Sequence, residues 1–480
     1  MPFIIGGNMK KIYAIALSAC LVFLMLPLRT SASESRTVFY IDYGNVEIGD
    51  SSVSGYDKSG KLVTDVNPCG YTVTQSNTNR RQDYGISVVS GTQDVEIKNL
   101  NIERVDENDS AFCVINSATA KLTVTGENRL ISGTYRAGVE IGLNASLTIE
   151  GDGSLYAQSD IEAGIGGGSG RSNGTLTINS GTIYAKGGIE GYGTGIGGGS
   201  SGNGGTITIN GGDIIAVGGE YGAGIGGGML GKGGTITING GTITSMGGAK
   251  AAGIGGGFTA NGGTVTINGG SVKAVGGTGA EYIGNGYNCK TAFNGIHNSD
   301  GKAVSSIMVS LSGFESVYQN GIDGTPITAS HPNDSNLYLF SDDSDNLATA
   351  YMSDGSVKFL SYNQSGCTEI NPFTNGEERF LKYLITSDKS GVSVADGFST
   401  EKENCRLMYN GSCVDEYEIV ARGDVNLDGN IDGMDAVEAA CVESGMLNDK
   451  LLFKLADVNS DGRVDSADVE SLRNSGVAAE

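Results

Sequence analysis

Four copies of Gly-Ile-Gly-Gly-Gly, with isoleucines at Ile165, Ile196, Ile225 and Ile254, recur at nearly constant steps, and a degenerate fifth copy follows in step at Ile283. A second register, T-[LIV]-T-I-N, carries Ile178, Ile209, Ile238 and Ile267, with Ile149 one period earlier. A third apolar mark stands at Ile183, Ile214, Ile243 and Val272. Self-similarity at a fixed period of this size is the mark of a repeat architecture. Thr206-Ile207-Thr208-Ile209 and its relatives alternate strictly, so they are short strands with isoleucine on one face. Glycine pairs punctuate both ends of each strand, and no segment here has helical periodicity. Three short strands and three glycine-rich corners per turn describe an all-β solenoid, a right-handed parallel β-helix of ~29-residue coils whose isoleucines stack inward.

Composition removes the competing fold classes. From Ala163 to Gly279, 45 of 117 residues are glycine, yet no Gly-X-Y period runs through them, which excludes collagen. The persistent apolar positions argue against disorder. With 31 basic and 54 acidic side chains, the formal charge is −23, the wrong sign for a nucleic-acid binder. Less regular coils fit at Gly85–Val88, Val95–Ile97, Leu122–Val124 and Leu147–Ile149, so the β-helix is expected over residues 70–290. Residues 33–69 are expected as an N-terminal cap with the first strands.

Lys10 and Lys11, the apolar run Ile12–Leu28 and the small residues Thr30-Ser31-Ala32 follow the order of a secretory signal peptide over residues 1–32. The protein is therefore expected to be secreted. Seven cysteines remain after it, an odd and sparse set that builds no disulfide framework, although Cys405 and Cys413 are close enough in sequence to pair across a hairpin. With His297 and His331 the only histidines, the sequence argues against a zinc site.

Gly222-Ala-Gly224-Ile-Gly-Gly227 satisfies GxGxxG, but a dinucleotide site needs a helix next, and here a strand follows in every turn. Tight corners explain the glycines. The Asn179, Asn210, Asn239 and Asn268 column reads as an amide ladder. Outward positions carry more for function. Thr206, Thr208, Thr235, Thr237, Thr264 and Thr266 make a hydroxyl-rich sheet, and two tyrosine pairs, Tyr156 with Tyr184 and Tyr192 with Tyr221, are spaced to meet on adjacent coils. Tyrosine ladders suit sugar-ring stacking, with the phenol as a polar handle; ordinary surface β-propensity is the competing explanation. Acids are few, and none recurs in register. Asp152 and Asp160 are the first place to look for a catalytic pair.

The GAGIGGG and GTITINGG strings resemble a family of secreted carbohydrate-binding β-helix proteins, over roughly residues 85–290. The resemblance implies binding of acidic plant polysaccharide such as polygalacturonate, with Ca²⁺ as a candidate bridge. The repeat is lost over residues 291–420, where Ile307–Leu311, Leu337–Phe340 and Val357–Leu360 read as strands of a small all-β module capping the solenoid.

Residues 421–480 carry the most specific motif. Asp424, Asn426, Asp428, Asn430, Asp432 and Asp435, with Gly429, recur at identical spacing as Asp457, Asn459, Asp461, Arg463, Asp465 and Asp468, with Gly462. Oxygen donors at loop positions 1, 3, 5, 9 and 12, a backbone carbonyl at 7 and glycine at 6 form the EF-hand loop, with Asp in place of Glu at 12. An apolar helix follows each loop, from Met434 to about Ser444 and from Ala467 to about Asn474. No entering helix is expected before either, and Glu418-Ile419-Val420 reads as a strand. Two such loop–helix halves closely resemble a type I dockerin. That resemblance implies two bound Ca²⁺ ions, a cohesin partner on a scaffoldin, membership of a cellulosome, and cohesin contact through Gly433 and Met434 in one half and Ser466 and Ala467 in the other. Three readings stand: a polysaccharide-binding cellulosome subunit, a β-helix polysaccharide lyase or glycoside hydrolase, and an adhesin or spacer.

Overall fold

Inward isoleucine stacks decide the architecture. In the computed structural model Ile178, Ile209, Ile238 and Ile267 pair coil to coil in register, and all four are buried. The structure describes residues 35–475 except 189–190, 311, 320–324, 327–335, 375, 388, 390–391 and 402–404. The segment 1–32, read as a signal peptide, lies outside the described residues.

Three parallel sheets run along the solenoid. The first has ten strands, from Thr37–Tyr40 through Thr206–Ile209 and its relatives to Ile296–His297. The second holds Val46–Ile48, Ile86–Val88, Phe112–Val114 and Val139–Ile141, and then five two-residue Ile-Gly strands from Ile165–Gly166 to Ile283–Gly284. The third runs from Asn101–Glu103 to Ser271–Val275 in seven strands. Parallel stacking begins before residue 70, because Thr37–Tyr40 pairs with Tyr71–Thr74 and Val46–Ile48 with Ile86–Val88. At that end Val53–Tyr56 adds antiparallel to Val46–Ile48, blunting the open edge of the second sheet.

The outward position of the Ile-Gly strands is Gly166, Gly197, Gly226, Gly255 and Gly284, with φ between 132° and 137°. A Cβ on Gly197 would stand 2.0 Å from the Gly226 carbonyl oxygen. The Gly-Ile-Gly-Gly-Gly string is therefore a corner that admits no side chain. The asparagine column is a hydrogen-bonded ladder, each Nδ2 donating to the Oδ1 of the preceding coil at 2.7–2.8 Å.

Past the last Ile-Gly strand, Phe293, Ile296, Val304, Tyr338 and Phe340 join the solenoid core and close its end. Antiparallel strands follow, among them Phe314–Gln319, Asn346–Met352, Val357–Asn363 and Gly366–Ile370. A hairpin aligns Met408 with Cys413, leaving Cys405 out of register with it, and both thiols are free. A mixed sheet of Glu378–Phe380, Tyr383–Thr386 and Glu418–Ala421 leads into the C-terminal helices. Those helices are Gly433–Glu443, Lys450–Ala456 and Ser466–Ser475. The middle one corrects the expectation of no entering helix: it runs directly into the second acidic loop. Asp449 caps it by accepting the Leu451 and Leu452 amides at 2.8 and 3.2 Å, and Leu455 is buried beneath it. Among the described residues no helix is long and apolar enough to cross a membrane.

Candidate functional site

Two features with distinct chemistry emerge, the paired acidic loops and a groove on the third sheet. In the first loop Asp435, fully buried, accepts the Val425 and Asn426 amides on Oδ1 at 2.7 and 3.1 Å and the Asp432 amide on Oδ2 at 2.8 Å. Asp468 does the same in the second, accepting from Val458, Asn459 and Asp465 at 3.0–3.3 Å. Asp432 caps the first helix by accepting the Met434 amide at 2.8 Å, and Asp465 takes the Ala467 amide in the same way. Position 3 and 5 side chains fold the loops: Asn426 Oδ1 accepts the Asp428 amide, Asp428 Oδ1 the Asn430 amide, Asn459 Oδ1 the Asp461 amide and Asp461 Oδ1 the Arg463 amide, all at 2.8–2.9 Å. The donation from Asn430 holds the Asp428 carboxyl below its ordinary range.

The fit to Ca²⁺ is tested at position 1. Asp424 is 2% exposed, and its Oδ1 has no hydrogen-bond partner among the described residues. Its Oδ2 takes the Gly429 amide at 3.1 Å and the Lys389 ammonium at 3.2 Å. A buried, unpartnered carboxylate oxygen at the mouth of an oxygen-lined loop suits a hard cation. Among the described residues no group of three or more His, Cys, Asp and Glu side chains is arranged to hold a metal by itself. Asn and backbone carbonyl oxygens would have to complete the shell of a Ca²⁺ ion at either loop. Gly433, Met434, Ser466 and Ala467 lie at the starts of the two helices that follow the loops. The first half is the more apolar, with Met434 61% and Val437 56% exposed one helical turn apart.

The tyrosines fall on two separate surfaces. Tyr156 and Tyr184 are cross-strand neighbours in the third sheet, their rings parallel to within 5° at 5.3 Å. Arg129, next in the same column, places its guanidinium carbon 5.8 Å from the Tyr156 centroid and pairs with Glu103 at 3.0 Å. Together with Asn101, Glu127 and the wall formed by Thr78 and Asn79, these residues line an open groove of about 570 Å³. The Asn101 side-chain carbonyl oxygen is buried and unpartnered among the described residues. Burial raises the Tyr156 phenol, which keeps its proton and donates to Gln158. Tyr192 and Tyr221 meet elsewhere, tilted by 31° at 5.8 Å.

The candidate acids do not assemble. Asp152 and Asp160 flank the strand Ser154–Gln158 at opposite ends. At ~3.3 Å per residue that strand holds them about 20 Å apart, beyond the roughly 5–10 Å of a glycosidase pair. Glu140, which sequence reasoning passed over, and Glu162, one of the few acids it found in the repeat region, are each 1% exposed. Glu140 accepts Arg136 at 2.8 Å, Arg171 at 3.4 Å and the Ser110 hydroxyl at 3.3 Å. Glu162 accepts the Ser200 amide at 2.6 Å. Burial pushes both carboxyls up. Their oxygens are committed to holding corners where irregular coils give way to regular ones.

The family model of the beta helix repeat matches residues 147–169, 207–229 and 236–258, and that of the dockerin type I domain matches residues 422–475. No curated protein and no solved structure matches the chain. Type I dockerins are in general calcium-binding modules of extracellular cellulosomes, and one implies a cohesin partner. The chain is a parallel β-solenoid that ends in a type I dockerin domain.

Proposed function

We propose that this protein is a secreted, non-catalytic cellulosome subunit whose β-helix binds pectin-like plant cell-wall polysaccharide while its dockerin holds it on a scaffoldin. The observation that carries the glycan half is the Tyr156–Tyr184 stack on the floor of the groove, flanked by Arg129 and the unpartnered Asn101 side-chain carbonyl. Stacked rings offer a flat apolar face to a sugar, and the surrounding amides and guanidinium supply fixed polar partners. The separation of Asp152 from Asp160, and the engagement of Glu140 and Glu162 with arginines and amides, weigh against hydrolysis.

In the dockerin, two Ca²⁺ ions are held by Asp424, Asn426, Asp428, Asp432 and Asp435 with the Asn430 carbonyl, and by Asp457, Asn459, Asp461, Asp465 and Asp468 with the Arg463 carbonyl. Cohesin docks through the first half, where Gly433 leaves the Met434 and Val437 face open, and not equally through Ser466 and Ala467.

The test incubates the full chain in Ca²⁺ with pectins, xylans and celluloses and reads retention and new reducing ends from the same tubes. Retention without new ends, weakened by Tyr156→Ala, is expected. New ends that scale with protein would refute the non-catalytic reading. Cohesin pull-down by Met434→Asp, set against Ala467→Asp, reads the docking half.

A further inference from the structure

Tyr192 and Tyr221 begin a longer strip. Tyr221 meets Phe258 edge-on at 5.5 Å, and Phe258 stacks on Tyr287 at 6.1 Å with rings parallel to within 7°. Tyr192 and Tyr221 stand just before the corner isoleucines Ile196 and Ile225, whereas Phe258 and Tyr287 stand just after Ile254 and Ile283. The two columns run side by side because Met229, Phe258 and Tyr287 donate their amides to the carbonyls of Tyr192, Tyr221 and Lys250 at 2.7–3.0 Å. Lys250 takes the position of Tyr221 one coil on, and its ammonium lies 5.7, 5.6 and 6.0 Å from the Tyr221, Phe258 and Tyr287 centroids. Among the described residues it makes these ring contacts and no ion pair.

Two further observations mark the strip as built. In the column that follows Phe258 and Tyr287 and their equivalents Ser200 and Met229, the residues Ser201, Leu230, Thr259 and Asn288 have φ between 58° and 66°. Leucine and a β-branched threonine are costly there, and glycine fills the other left-handed corners of these coils. Side chains are retained at the one column that borders the aromatics. The charge is also local: over the strip, from Tyr192 to Lys290, the chain has four lysines and three acids, against −23 overall; Lys273 and Asp213 belong to the third sheet, and Glu220 takes the Tyr221 phenol. Lys232 and Lys290 stand two repeat periods apart, in one column beside the ladder. Glu281 accepts the Asn285 amide at 2.9 Å.

We infer that this strip, Tyr192–Tyr221–Phe258–Tyr287 with Lys250, is a second glycan site, separate from the Tyr156–Tyr184 groove, that takes a carboxylated sugar polymer. Rings stack on sugar faces along the solenoid axis, and Lys250, flanked by Lys232 and Lys290, pairs with uronate carboxylates. Lysines gathered beside aromatic rings give a polyanion a local partner on a chain whose surface otherwise repels it. The inference rests on the reading of the solenoid as a glycan binder.

The test is affinity electrophoresis of the full chain in Ca²⁺ through gels holding polygalacturonate or its methyl ester. Retention by polygalacturonate is expected to exceed that by the ester and to fall with salt. Lys250→Met, which keeps the apolar stem, is expected to weaken polygalacturonate retention roughly tenfold, as for loss of a charge-assisted contact. Tyr287→Ala weakens retention in both gels. Tyr156→Ala leaves the preference for polygalacturonate over its ester intact. Unchanged retention by Lys250→Met and Tyr287→Ala, with melting curves like the parent's, would overturn the strip. If Tyr156→Ala alone abolishes retention, the strip fails and the groove stands; if no glycan retains the parent chain, both fail.

Discussion

Chelating calcium is expected to destabilise more than the dockerin. Val425, Ala436, Ala439, Leu455, Ala456, Val469 and Leu472 share one buried cluster with Phe380, Ile385 and Val420 of the preceding sheet. Lys454 and Arg422 both pair with Glu378 across the same boundary. The loops are built on Asp435 and Asp468, two buried carboxylates ringed by amides, and on Asp424, whose Oδ1 has no protein partner among the described residues. A ligand at a hundred times its Kd contributes about 2.7 kcal/mol, so two loops contribute about 5 kcal/mol. In a cooperative unit of roughly 100 residues each kcal/mol moves Tm by about 4–8 °C, so chelation lowers that transition by at least about 20 °C. The solenoid, with its own isoleucine core, keeps its transition. Calorimetry of the full chain with and without EGTA separates the two transitions. Hydrogen exchange then reads the amides of Tyr383–Thr386, which pair with Glu418–Ala421. If those amides stay protected in EGTA while Gly433–Glu443 exchanges freely, the shared core does not couple the two parts and the reasoning fails.

Lys389→Ala removes a cation bound to Asp424 Oδ2; because the lysine is partly exposed, Ca²⁺ affinity in the first loop should rise by no more than about fivefold, the equivalent of about 1 kcal/mol, in a calorimetric titration. Ile236→Ala empties a fully buried position stacked between Ile207 and Val265, and should cost about 2–5 kcal/mol in denaturant unfolding of the solenoid, whereas the outward Thr237→Ala costs little. Burial raises the Glu140 and Glu162 carboxyls above the 4.5 of an ordinary glutamate. The folded state therefore binds these protons more tightly than the unfolded chain. Their stabilisation is complete below pH 4.5 and is lost as pH rises through the raised folded values. A double Glu140→Gln, Glu162→Gln variant should flatten that part of the solenoid's stability–pH curve, and an unchanged slope would refute the assignment.

What was legible in the sequence is what repeats within one column. Ile178, Ile209, Ile238 and Ile267 announce a strand, its inward face and its coil period together, because a solenoid core is a stack of equivalent positions. Duplicated acidic loops are legible for a related reason: oxygen donors at fixed spacing leave few other chemistries open. The aromatic strip was half visible, since Tyr192 and Tyr221 share a column while Phe258 and Tyr287 occupy its neighbour. The hydrogen bonds between carbonyls of one coil and amides of the next, and the Tyr221–Phe258 ring contact, show that the columns touch. The helix Lys450–Ala456 was missed because so short a segment gives barely two turns of period, and its definition comes from the Asp449 cap and the cluster that buries Leu455. The first coil was hidden by its irregular corners, and Thr37–Tyr40 becomes a rung only through pairing with Tyr71–Thr74, a longer step than the regular period. Glu140 and Glu162 look like ordinary surface acids in a strand and a corner. Their burial depends on Arg136, Arg171 and Ser200, the last two arriving from other turns. The contacts that the repeat does not dictate are thus of two kinds: the buried acids join unlike coils, and the strip crosses from one column to its neighbour within the regular ones.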